Sequence, residues 1–151
     1  MEWTNTPPNL IRQAIREQKL IAPTSGMAKG YIQANVVILP QTYAYDFLLF
    51  CQRNPKTCPL LDVSDVGKPS FPKYAPQGDI RNEVGLYFVY KRGKLVEKPY
   101  DISDLYDEKM VSFLIGCSFT FEHAMLEAGL PVRHIEENHN VPMYILSLIH
   151  I

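Results

Sequence analysis

The sequence predicts an α/β fold with a separate α+β lobe, on three observations. Helix-period and strand-period segments alternate through the first half. Two short strand patterns flank an Arg-Gly pair in the middle. Two helix patterns then meet at a glycine. The expected bounds are the N-terminal part of an α/β main domain over residues 1–78 and a smaller α+β lobe over 79–131. Residues 132–151 are expected to return towards the main domain.

Thr6 before Pro7 and Pro8 reads as an N-cap with proline in the first turn. Leu10, Ile11, Ala14 and Ile15 recur at helical spacing, so a helix is expected to about Gln18. Residues 31–39 alternate as a strand, with Gln33 and Asn35 on one face. Pro40 ends it. Tyr43, Ala44, Phe47, Leu48 and Cys51 then mark an amphipathic helix stopping before Asn54-Pro55.

Pro69, Pro72 and Pro76 leave residues 64–78 irregular, as a functional loop or a crossing between lobes. Residues 86–91 and 94–98 form a hairpin around Arg92-Gly93. Asp104 and Asp107 suggest a helix start with its apolar body over 110–115. A further helix is expected from Ser118 to Ala128, stopped by Gly129 and Pro131. Short strands are expected over 132–135 and 141–145.

The 151 residues suffice for a domain with a small lobe. Net charge of −1 gives no electrostatic reason to expect nucleic acid or a membrane surface as partner. Apolar runs such as 47–51 are far short of the ~20 residues of a membrane span. The N-terminus lacks the order of a secretory signal, and Cys51, Cys58 and Cys117 form no even disulfide framework. The expectation is a reduced, cytoplasmic protein. The four histidines contain no His-Glu-x-x-His pattern, and neither metal nor cofactor is expected.

The stretch Gly116-Cys117-Ser118-Phe119-Thr120-Phe121-Glu122 concentrates chemistry. A thiol, a hydroxyl and a carboxylate lie within six residues of a helix start, where free amides attract anions and favour thiolates. That suits a carboxylate substrate without naming a reaction.

Several segments together resemble one family, the hydro-lyases related to D-glutamate cyclase. They are Gly30-Tyr31-Ile32-Gln33-Ala34-Asn35, Asp46-Phe47 through Phe50-Cys51 with Asn54-Pro55, and Cys58-Pro59-Leu60-Leu61. Then come Asp79-Ile80-Arg81, the run 113–122, Ala128-Gly129 with Arg133, and Asn140-Val141-Pro142-Met143-Tyr144. The resemblance implies an α/β/α layered main domain carrying a smaller two-layer lobe. It also implies dehydration of a small amino or hydroxy carboxylic acid, with conversion of D-glutamate to 5-oxo-D-proline leading. Two departures stand out. Residues 145–151 end the chain where the family continues with a Thr-Asn pair and a long C-terminal half, so the chain resembles an N-terminal portion. Gly85-Leu86 also stands where the family usually has a proline. A missing half would leave apolar faces exposed, which favours aggregation or self-association, a homo-oligomer being one such outcome.

Cyclising glutamate requires holding carboxylates, deprotonating an ammonium and assisting a departing oxygen. Glu122 is the candidate acid or base; the alternative is a favourable contact with the helix N-terminus. Cys117 is a candidate covalent nucleophile or a packing residue, and Ser118 an N-cap beside a free amide. Arg81 and Arg133 are candidate carboxylate forks, or ordinary ion pairs. Gln33, Asn35, Asn140 and Tyr144 are candidate substrate contacts, with satisfied amides and packing as the plain readings. His134 could shuttle protons, although a non-catalytic role is favoured. Two other functions remain open. One is a non-catalytic small carboxylic acid binding protein on the same scaffold; the other is a cysteine acyl-transfer enzyme.

Overall fold

The computed structural model describes residues 3–117, 119–137 and 139. Helices and antiparallel sheets are mixed along the chain. The order is α1 (Pro8–Arg16), β1 (Ala34–Pro40), α2 (Gln41–Arg53), β2 (Leu60–Val63), β3 (Val89–Lys91), β4 (Lys94–Glu97), β5 (Met110–Gly116), α3 (Phe119–Glu127) and α4 (Arg133–Glu136). Among the described residues no helix is long and apolar enough to cross a membrane.

Strands β1 and β2 flank β5 in one antiparallel sheet. Ala34 lies opposite Gly116, and Pro40 opposite Met110. A register shift between Leu60 and Asp62 marks a bulge on the other side. This corrects the expectation of a helix over 110–115. A central strand is buried on both faces, so its sequence runs continuously apolar and hides the period of two. Val111, Ser112, Phe113 and Ile115 are all buried, which is the signature of that position.

Helix α2 covers one sheet face. Val111, Phe113, Ile115 and Cys51 form its core, with Val37, Leu39, Ala44, Phe47, Phe50, Cys58, Leu60 and Val63 packed around them. The Phe47 and Phe113 rings meet edge to face, with centroids 4.9 Å apart. Burial, then the Cys58 thiol, pushes the Cys51 thiol up. Cys51 is therefore a packing residue rather than a nucleophile.

A second core surrounds α1, from Ile11, Ala14, Ile15, Leu20 and Met27. The helix starts with Pro7 as N-cap and no side-chain cap, not with Thr6. The Pro7 carbonyl accepts from the Leu10 and Ile11 amides. Gln18 takes a left-handed φ of 55°, ending the helix at the expected place.

The irregular segment is tied onto β5. Ser64 donates its amide to the Ser112 carbonyl at 2.9 Å and receives the Ser112 amide on Oγ at 2.9 Å. Gly67 donates to the Met110 carbonyl at 2.8 Å. A Cβ on Gly67 would lie 2.7 Å from the Glu108 carbonyl oxygen, and its φ is +71°, so this approach requires glycine. The β3–β4 hairpin has positive φ at Arg92 (52°) and Gly93 (74°), as a type I′ turn demands.

At the end of α3, Gly129 takes φ 72°. Its amide reaches the Leu126 carbonyl, and Leu130 reaches Met125, a Schellman stop. The expected strand over 132–135 is instead the short helix α4. Extended Val132 accepts from the Ile135 and Glu136 amides, so its carbonyl starts a helical turn. The expected strand over 141–145 lies outside the described residues.

Candidate functional site

Residue 117 leaves the central strand, so the bend there joins a strand to a helix, not two helices. Gly116 donates to the Pro59 carbonyl at 2.9 Å, and a Cβ there would sit 3.3 Å from Pro59 Cγ. The close approach holds the 59–60 turn against the strand exit. The β1–β5 register sets Gly116 opposite Ala34, which brings Cys117 to residue 33. Its thiol donates to the Gln33 carbonyl, with Sγ 3.4 Å from the oxygen.

The Gln33 side chain turns into the preceding loop. Its Nε2 donates to the Met27 carbonyl at 2.8 Å, and its Oε1 accepts from Thr24 Oγ1 at 2.8 Å. It thus fixes the loop that Cys117 meets. Lys29 Nζ approaches Glu127 Oε1 of α3 at 3.6 Å, joining the same loop to that helix. Asn35 is exposed on β1, opposite Ile115.

Glu122, one turn into α3, is buried, with 9% of its surface exposed. His134 of α4 brings Nε2 to 3.4 Å from Glu122 Oε2. That nitrogen is buried and makes no well-aligned hydrogen bond among the described residues. The pair is therefore a close carboxylate–imidazole approach that becomes an ion pair when the ring is protonated. Val132, buried just before α4, anchors the helix carrying the histidine.

The two arginines are engaged elsewhere. Arg81 forms a two-pronged pair with Asp79, Nε to Oδ1 at 2.8 Å and a terminal nitrogen to Oδ2 at 2.6 Å. Each group holds the other charged: the hydrogen bond lowers the Asp79 carboxyl and raises the Arg81 guanidinium. Arg133 lies in solvent with its side chain 88% exposed, and its Nε donates to Glu137 Oε1 at 2.9 Å. Ser118, Asn140 and Tyr144 lie outside the described residues.

Beside Asp79 lies a cluster that the sequence reading missed. Glu83, buried in its side chain, accepts from Arg16 at 3.0 Å and the Asp79 amide at 3.0 Å, and forms an ion pair with Arg12 at 3.2 Å. Tyr87 donates its hydroxyl to the Ile80 carbonyl, and burial pushes that phenol up. The i, i+4 spacing of Arg12 and Arg16 was a visible signal for one shared acidic partner. Its role is to lock α1 to the 79–83 loop.

The sequence pattern of the D-glutamate cyclase family matches residues 111–149, a stretch that contains β5 apart from Met110, together with Cys117, Glu122 and His134. A "Putative hydro-lyase" of Staphylococcus haemolyticus is 67% identical over 144 residues, covering 95% of this chain and 55% of the relative. One of Staphylococcus carnosus is 62% identical over 144 residues, with the same shares. One of Staphylococcus saprophyticus is 61% identical over 148 residues, 98% of this chain and 57% of the relative. The chain spans about half the length of the curated relatives it matches. It belongs to the hydro-lyase family related to D-glutamate cyclase.

Proposed function

We propose that the protein containing this chain is a hydro-lyase acting on a small amino or hydroxy carboxylic acid, with dehydration of D-glutamate to 5-oxo-D-proline as its leading reaction. The observation that carries this is the buried Glu122 carboxylate facing His134 inside the stretch that matches the family. A buried carboxylate with an imidazole beside it is suited to taking and returning protons.

In this reaction the substrate nitrogen attacks the γ-carboxyl carbon, a C–N bond forms and a C–O bond breaks. Two protons leave the ammonium, and the departing oxygen takes both to become water. No electrons are exchanged, so the step as written requires no redox cofactor.

Glu122 is the proposed acid/base. Cys117 and Ser118 are proposed to offer the strand-to-helix bend to the anionic substrate, Cys117 being the candidate should an acyl intermediate form. Arg133 is better placed than Arg81 to hold a carboxylate. An exposed pair such as Arg133–Glu137 contributes at most about 1 kcal/mol, so exchanging Glu137 for substrate costs little. The Arg81–Asp79 fork is harder to exchange. Gln33 contributes by fixing the loop, and Asn35, Asn140 and Tyr144 are proposed lesser contacts.

On this proposal the sheet β1–β5–β2 supplies part of a layered α/β/α main domain. A lobe over residues 79–131 would share β5 with it. The reduced cysteines fit a cytoplasmic setting, and self-association into a homo-oligomer fits the exposed apolar side chains of the β3–β4 hairpin, Leu95 and Val96 among them.

The test is a chiral assay of a protein of the relatives' full length carrying this sequence, against D- and L-amino acids. Formation of 5-oxo-D-proline from D-glutamate is expected. Saturable binding of D-glutamate without product would instead select the non-catalytic binding protein.

A further inference from the structure

We infer that His134 is the second proton holder of the site, working through Glu122. The inference rests on the dehydration proposed above. That reaction must move two protons from one nitrogen to one oxygen. A single carboxylate can hold only one at a time, so it must act twice or hand one on. His134 Nε2 lies 3.4 Å from Glu122 Oε2, is shielded from solvent, and makes no well-aligned hydrogen bond among the described residues. Such a nitrogen costs free energy unless a proton or a partner reaches it during the working cycle.

The steps balance. Glu122 takes the first ammonium proton and passes it across the short gap to His134 Nε2. The regenerated carboxylate takes the second proton as the C–N bond forms. Glu122 delivers that proton to the departing oxygen, is reprotonated by His134, and delivers the other. Water leaves, and both side chains return to their starting states. Imidazole suits the second place because it accepts and releases protons near neutral pH. Because His134 acts through Glu122, it is a positioning and relay residue rather than one that touches substrate.

Two variants separate relay from packing. Glutamine at 134 can still donate a hydrogen bond to Glu122 but cannot accept and release a proton; alanine does neither. In the full-length protein, His134→Gln and His134→Ala are both expected to lose about 10²-fold in kcat, with KM for D-glutamate within about twofold. Circular dichroism melting should stay near that of the parent. Restoration of kcat by glutamine, or unchanged kcat in both variants, overturns the relay while leaving the hydro-lyase intact. A parent protein that turns over no acid removes the reaction and the relay together.

A second measurement needs no turnover. Ring-nitrogen NMR of His134 in this chain should show Nε2, which faces Glu122, without a proton at rest and so open to accept one, with the ring signals displaced in Glu122→Gln. Identical His134 ring signals in the two proteins would overturn the pairing.

Discussion

Asp79 and Arg81 illustrate a residue-scale contact whose value depends on pH. The two-pronged pair holds the Asp79 carboxyl below its ordinary value, chiefly through the Arg81 hydrogen bond. A carboxylate depressed in the folded state stabilises it above the unfolded value of about 3.9. That stability is lost as pH falls through the folded value. Both side chains are partly exposed (28% and 37%), so solvent screening limits the gain. Asp79→Asn should lose up to about 1 kcal/mol in urea melts at pH 7, and the difference should shrink at pH 3. A loss of equal size at both values would show that the pair's charge contributes nothing. At this scale the sequence was informative about residue type and poor about partner. Arg81 and Arg133 each carry a suitable fork, yet Asp79 lies two residues from one and Glu137 four from the other. Local carboxylates compete for any arginine, and spacing alone does not reveal which wins.

At the scale of elements, the central strand governs the account. The amphipathic helix α2 was legible because it has one wet face and therefore a clean period, and the β3–β4 hairpin because Arg92-Gly93 supplies its turn. Strand β5 was misread as a helix body because burial on both faces erases that period. Its β-branched and aromatic residues, closed by glycine, were the remaining signal. Helix α4 was misread as a strand because its four residues are too few to show a period. The strand's importance can be weighed directly. Phe113 is 1% exposed, against Phe47 of α2 and within the sheet core. Phe113→Ala should cost about 3–5 kcal/mol in chemical denaturation. A loss below about 1 kcal/mol would mean that β5 is not the core of the sheet.

Across the whole molecule, topology does what sequence spacing cannot. Residues 34–40, 60–63 and 110–116 come together in one sheet, and the exit of its middle strand meets the 24–33 loop. The segment around residues 113–122 was legible as chemistry because thiol, hydroxyl and carboxylate crowd one short run. The partner of Glu122 was not, since His134 lies 12 positions on and reaches it only through the Gly129 stop and the turn into α4. The family likeness was legible because its motifs follow one another along the chain in order. The most direct measurement is turnover of D-glutamate by Glu122→Gln in a protein of the relatives' full length. Loss of 5-oxo-D-proline formation by a factor of about 10² or more, with an unchanged melting curve, is the predicted result. Undiminished product from a folded Glu122→Gln protein would contradict the central claim.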